Sequence, residues 1–230
     1  MKKIVLIVML GFMFSIINAQ SNAQKVRVGI TASPAISWFK GADKNVSSGK
    51  VRMGLEYGLL LNINLAKNQE NYVLETGVTG VLIGGNAVYD TLVYPSDSLG
   101  YRNGVDARFK MQYVNIPVSL KLKTNQIGYI TYYGQVGFVP GFKVGSRADS
   151  DALGYENEKL DKNNETVFTS PLFALGLNVG GGIEYALNDR TALLLGVNFV
   201  NNFTNGIKVK TEDKDKQAFK YVLLRAGILF

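Results

Sequence analysis

Histidine and cysteine are both absent from the 230 residues. Without His there can be no Ser-His-Asp relay and no His-ligated metal centre, and the side chain best suited to proton transfer near neutral pH is missing. Without Cys there are no disulfides, no thiolate metal sites and no cysteine for lipid anchoring. Helical signals are scarce as well. Beyond residue 17 no apolar run is long enough for a membrane helix, and no stretch sustains a helical repeat. Only an all-carboxylate or lysine-based chemistry stays open, so the reading is a non-enzyme with no cofactor and no metal.

What is present begins with an export signal. Met1-Lys2-Lys3 is a cationic start, residues 4–17 are apolar, and small residues at Ala19 and Ala23 offer cleavage points. That order of regions reads as a signal peptide over 1–19, with cleavage as late as 23. A single domain over 20–230 is expected to follow. Removing Lys2 and Lys3 lowers the formal charge from +7 to +5, and the excess is spread rather than gathered in a run. No nucleic-acid partner is expected.

The mature chain alternates with period two. Val51, Met53, Leu55, Tyr57, Leu59, Leu61, Ile63 and Leu65 form one apolar row, with Arg52, Gly54, Glu56, Gly58, Leu60, Asn62 and Asn64 between them. Phe173, Leu175, Leu177, Val179, Gly181, Ile183, Tyr185 and Leu187 form a second, alternating with Ala174, Gly176, Asn178, Gly180, Gly182, Glu184 and Ala186. Strands of about fifteen residues, against the usual five or six, suit lipid outside and a crowded lumen inside. Eight strands are expected, at 25–39, 51–65, 71–85, 109–123, 127–145, 171–187, 191–203 and 219–230. Short connections at 66–70, 124–126 and 188–190 alternate with long ones at 40–50, 86–108, 146–170 and 202–218. The fold class is therefore an all-β, eight-stranded antiparallel transmembrane barrel with short periplasmic turns and long extracellular loops.

A soluble barrel could use the same alternation with its apolar rows turned inward. Strand length, the terminal Phe230 and two aromatic belts favour the bacterial outer membrane. Tyr72, Tyr129, Tyr185 and Phe230 mark the periplasmic ends, and Trp38, Phe138, Phe142, Phe199 and Phe203 the loop ends. Outer-membrane lipid is then an obligatory partner, with another envelope protein as a further candidate.

The run Gln112-Tyr113-Val114-Asn115-Ile116-Pro117-Val118-Ser119-Leu120-Lys121-Leu122-Lys123 resembles small PorT-like outer-membrane β-barrel proteins of Bacteroidota. Ile127-Gly128-Tyr129 and 133–137 carry the likeness onward, as do 54–61 and the closing strand. Members often place an aromatic, then Ile-Pro, then alternating Leu and Lys. The resemblance implies the barrel fold and no particular activity.

Seven charges fall on the inward rows: Arg27, Arg52, Glu56, Glu75, Lys121, Glu184 and Arg225. An eight-stranded lumen is just wide enough for side chains, so these groups should meet and pair as a lumen charge layer. Arg27, Glu75, Lys121, Glu184 and Arg225 lie near the periplasmic ends and nearly balance, whereas Glu56 would have only Arg52. A structural or docking role in the envelope follows. The alternative is a small channel, or a binder of an apolar molecule in a pocket lined by Leu60, Val81 and Ile83. Gly176, Gly180, Gly181 and Gly182 lack the Gly-Lys-Ser/Thr and following helix of a phosphate loop and indicate close packing instead. Gly58→Ser, on the inner row, is expected to disturb assembly far less than Leu59→Lys on the lipid face. Pro117 and Pro140 should mark bulges or strand ends. The acidic stretch from Asp149 and Asp151 to Glu165 lacks the spacing of a calcium loop and reads as a solvated, mobile loop.

Overall fold

The computed structural model describes residues 26–41, 46–66, 69–93, 101–160, 167–204, 206–209 and 216–230. The expected signal peptide lies outside the described residues. Eight long strands build one closed antiparallel sheet: β1 (Val26–Gly41), β2 (Arg52–Ala66), β3 (Gln69–Val93), β4 (Tyr101–Asn115, resuming as Val118–Lys123), β5 (Ile130–Ser150), β6 (Phe173–Ala186), β7 (Ala192–Asn202) and β8 (Lys216–Leu229). Each pairs with its sequence neighbours, and β8 returns to β1 from Gly29↔Leu229 to Gly41↔Gln217. Closure leaves the sheet without a free edge along the barrel wall.

The inward and outward rows fall as the alternation requires. On β2, Glu56, Leu60, Asn62 and Asn64 are buried, while Met53, Tyr57 and Leu65 are exposed. Met53 is 78% exposed, a value that burial against a soluble core would not permit. Exposed Val, Leu, Ile, Phe and Tyr recur on the outer face of every strand except β7's polar tip and the loop-side extensions, which gives a continuous apolar band. Both aromatic belts lie on this face. Tyr129 stacks near Tyr185 at 6.0 Å, Phe142 meets Phe173 at 5.6 Å, and the partly buried Trp38 packs on Phe199 at 6.3 Å.

Three turns stay short, and local hydrogen bonds explain two of them. The Asn188 side-chain oxygen accepts from the backbone N–H groups of Arg190 and Thr191, at 2.9 and 2.8 Å. Ile127 and Ile130 exchange backbone bonds around Gly128, whose φ of 62° is the left-handed conformation that the turn requires.

The opposite end departs from the expected loops. Residues 86–108 are mostly strand: β3 runs to Val93 and β4 starts at Tyr101. Alternation continues there, with Ala87, Tyr89, Val105, Ala107 and Phe109 all buried. Gly84, Gly85 and Asn86 break the pattern in the sequence but not in the ladder. The acidic stretch is also ordered in part. Tyr155–Lys159 pairs back on β5, after a short 3-10 turn over Asp151–Leu153.

The prolines divide. Pro117 lies in the break of β4, as expected, whereas Pro140 sits within β5 without a register shift against β6. Ile116 donates to the Pro140 carbonyl at 2.9 Å, and no return bond can form because proline has no N–H. The two prolines therefore share one interruption in the wall. Gly58 is a further correction. A Cβ there would lie 2.3 Å from the Val78 carbonyl oxygen and 2.6 Å from the Thr79 Cα, so the wall has no room for Ser.

Candidate functional site

Three layers fill the lumen. At the periplasmic end, side chains from five strands converge. Glu75 of β3 meets Lys121 of β4 at 2.6 Å and Arg225 of β8 at 2.6 Å. Glu184 of β6 meets Lys123 at 2.8 Å, Arg27 of β1 at 3.3 Å and Lys121 at 3.4 Å. Lys121 is thus shared between the two carboxylates. The Glu75–Arg225 and Glu184–Arg27 pairs join strands three apart around the ring, so they cross the lumen as struts. Glu75 and Lys121 have no exposed side-chain surface, and at such sites a charge persists only when it is paired.

Neutral groups complete this layer. Gln135 accepts from Arg225 at 3.1 Å and donates to Glu75 at 3.4 Å. The Lys121 ammonium lies 4.4 Å from the centroid of the Tyr133 ring. That ring fills space left by two glycines, because a Cβ on Gly182 or Gly196 would lie 2.8 or 2.4 Å from the Tyr133 hydroxyl. Of the seven sequence candidates, five therefore come together: Arg27, Glu75, Lys121, Glu184 and Arg225. Lys123, Gln135 and Tyr133 join them, although the charge pattern alone did not select them. Their inward parity on β4 and β5 was the available signal. With Lys123 included, four cations share two glutamates, so the expected near-balance gives way to a basic excess.

Arg52 and Glu56 lie apart from this cluster and, among the described residues, make no ion pair with each other. Arg52 is partly buried near the loop end, where its carbonyl accepts from Ser37 at 3.3 Å. Glu56 is buried in the middle layer, with Arg225 as the main opposing charge around it. This layer is uncharged apart from Glu56. Asn198 donates to Asn178 at 2.9 Å, Asn178 to Ser119 at 3.2 Å, and Asn115 to Tyr221 at 3.4 Å.

The third layer is apolar and extends into the loops. Phe39, Val81, Ile83, Phe109, Tyr113, Phe219 and Tyr221 are buried in one cluster with Leu160, Val167, Phe168, Ile207 and Val209. Phe168 packs on Tyr89 at 5.2 Å and edge-on to Phe109 at 5.1 Å. It lies on Phe168–Thr169, which pairs with Ile207–Val209, itself paired with β8; this sheet caps the barrel mouth. Val81 and Ile83 belong to the packed cluster, and Leu60 packs with Tyr133 and Leu194 below it. The three therefore do not line a common apolar pocket.

Clefts of about 730, 740 and 420 Å³ open at the rims. The smallest is the periplasmic mouth, lined by Arg27, Lys123, Glu184, Arg190 and Phe230. Among the described residues no cluster of acidic groups could hold a metal ion.

A closed barrel with this outer surface is matched by a family model described as outer membrane protein beta-barrel domain, over residues 18–205. The chain belongs to that family. It is a bacterial outer-membrane protein. Among solved structures, the barrel is similar to Neisserial surface protein A (15% identity, 88% of this chain and 95% of that one, TM-score 0.46). It is also similar to OprG from Pseudomonas aeruginosa (14% identity, 90% and 96% covered, TM-score 0.41). The outer membrane protease OmpT from Escherichia coli is a third (10% identity, 89% and 96% covered, TM-score 0.46). At such identities the likeness is one of barrel architecture, and no activity passes with it. No curated protein matches the sequence.

Proposed function

We propose that this barrel is a non-enzymatic structural or docking component of the outer membrane whose lumen does not conduct. The occupied lumen carries the reading. Cross-lumen ion pairs fill the periplasmic half, and an apolar cluster continuous with the loop cap fills the other. Such an interior leaves the extracellular rim as the working surface, where the β3–β4 hairpin and Tyr155–Lys159 stand beyond the membrane. The absence of His supports a non-enzymatic role, as does the engagement of the two periplasmic-end glutamates in ion pairs. On the 112–123 run we also place the chain among PorT-like barrels.

Planar-bilayer recordings of the purified barrel test the reading. A filled lumen gives no stable open level. A reproducible single-channel conductance from the unmodified protein would overturn it and favour a small channel.

A further inference from the structure

The seam that closes the barrel is interrupted. β1 and β8 pair at Gly29↔Leu229, Ile30↔Ile228 and Thr31↔Gly227, and pairing resumes in the same register at Ala35↔Leu223, with no rung at 32, 33 or 34. The other edges of both strands are continuous. β1 holds β2 from Val26↔Ile63 to Ser37↔Arg52, and β8 holds β7 from Ala192↔Leu229 to Asn201↔Lys220. Val28 and Phe230 exchange backbone bonds across the seam, at 3.2 and 2.7 Å. Antiparallel bonding alternates, so the even residues of β1 present their N–H groups to β8, and Pro34 falls where such a donor is needed. Side chains bridge the gap. The Thr31 hydroxyl donates to the Ala226 carbonyl at 3.0 Å, the Ala226 N–H donates to the Ser33 hydroxyl at 3.4 Å, and the two hydroxyls lie 3.0 Å apart. Thr31 and Ser33 are buried on the inner face, as is Arg225 within the unpaired stretch of β8.

We propose that the barrel wall parts at this point, with β1 leaving β8 over Ala32–Pro34 and Leu224–Ala226 while the rungs on either side hold. Thr31 and Ser33 are the latch. The break at Pro117 and Pro140 is the weaker candidate, because Ile116 still donates to the Pro140 carbonyl across it, whereas the closing seam carries no rung over three residues. The latch also bonds a single residue, Ala226, so its two contacts are lost together. Parting of this kind is sideways and local. It does not depend on whether the lumen conducts along its axis, so either reading can fail alone.

Amide hydrogen exchange tests the latch, followed residue by residue by NMR on the full-length barrel in nanodiscs. The even residues of β8 donate toward β1 and the odd ones toward β7. Leu224 and Ala226 should exchange about tenfold faster than Val222 and Ile228, the worth of one hydrogen bond, while Leu223 and Arg225 stay protected. T31V/S33A should raise exchange at Leu224 and Ala226 about tenfold further. P34V restores the missing donor and should lower it. An unchanged heat-dependent gel shift will show that each variant folds. Equal exchange at Leu224, Ala226, Val222 and Ile228 would overturn the proposal, because the seam is then shut. So would exchange of Leu223 and Arg225 as fast as their neighbours, which is fraying of the whole strand, or T31V/S33A and P34V variants that both exchange like the parent.

Discussion

Replacing Glu75 by Gln probes the lumen most directly, because two cations depend on that carboxylate. Arg225 and Lys121 each approach it within 2.6 Å, and all three side chains are essentially buried. Gln keeps the shape and loses the charge. Lys121 retains Glu184 at 3.4 Å, while Arg225 retains only the neutral Gln135 oxygen at 3.1 Å and the more distant Glu56. Breaking a buried pair in this way costs about 3–5 kcal/mol. For a chain of this size each kcal/mol moves the melting temperature by about 2–4 °C, so the expected loss is roughly 6–20 °C. Heat-dependent gel mobility in detergent measures it. Glu184→Gln should cost less, about 1–3 kcal/mol, because Arg27 and Lys123 keep 19% and 9% of their side-chain surface in solvent. Adding Arg225→Gln to Glu75→Gln should recover part of the loss, since no unmatched guanidinium then remains. If both single variants melt within about 2 °C of the parent, the charges are hydrated and the lumen is wet. That outcome refutes the ion-pair plug and revives the channel.

The outer surface and the rim give further tests. Leu59→Lys on the lipid face should cost roughly 2–4 kcal/mol if it sits near the midplane and should block assembly in membrane fractions. Asn62→Ser on the inner row of the same strand should assemble normally, whereas Gly58→Ser should not, because its Cβ would strike the β3 backbone. At the rim, a hydrogen bond from Lys110 holds the Asp149 carboxyl below its ordinary value, and the backbone N–H of Asn157 adds to the effect at 2.7 Å. A lowered folded pKa means that this stabilisation is complete above the ordinary aspartate value of 3.8 and is lost as pH falls through the lower folded value. Amide exchange over Tyr155–Lys159 should therefore be unchanged, after correction for intrinsic rates, from pH 7 to about 5 and should rise only in stronger acid. Asp149→Asn should remove that acid-dependent rise.

Strand number and register parity were legible because a period of two admits only two faces and long rows such as 51–65 show which is apolar, while the turning of that face to lipid was carried by strand length and the aromatic belts. The extent of the rim strands was not. Gly84, Gly85 and Asn86 are residues that usually end a strand, and the cross-strand partners Lys110, Phe109 and Arg108 carry the ladder through them, with Gly49 and Lys50 bonded to Asn86 on its other side. Long-range pairing of this kind leaves no mark within a local window. Gly58 shows a related limit: the sequence puts it on the inner face, but whether a side chain fits depends on how closely β3 approaches.

The charge layer divides along the same line. Parity alone places Arg27, Glu75, Lys121, Glu184 and Arg225 inside, and a narrow lumen forces them together. Parity cannot set height, because strand tilt and stagger decide which rungs meet across the barrel. Arg52 and Glu56 share the inward parity yet belong to other levels. Lys123 shows the converse case. It sits where β4 runs into a turn, a position that reads as exposed, and the stagger swings it onto Glu184 at 2.8 Å. A third cation on one carboxylate leaves the cluster with a positive excess that opens on the periplasmic mouth beside Arg190. The lumen is thus polarised as well as filled, basic at the periplasmic end and apolar at the loop end. On the proposed non-conducting reading, an ion crossing it would have to displace the paired groups at one end and the aromatic cap at the other, so a variant that loosens only one of them should still give no stable open level.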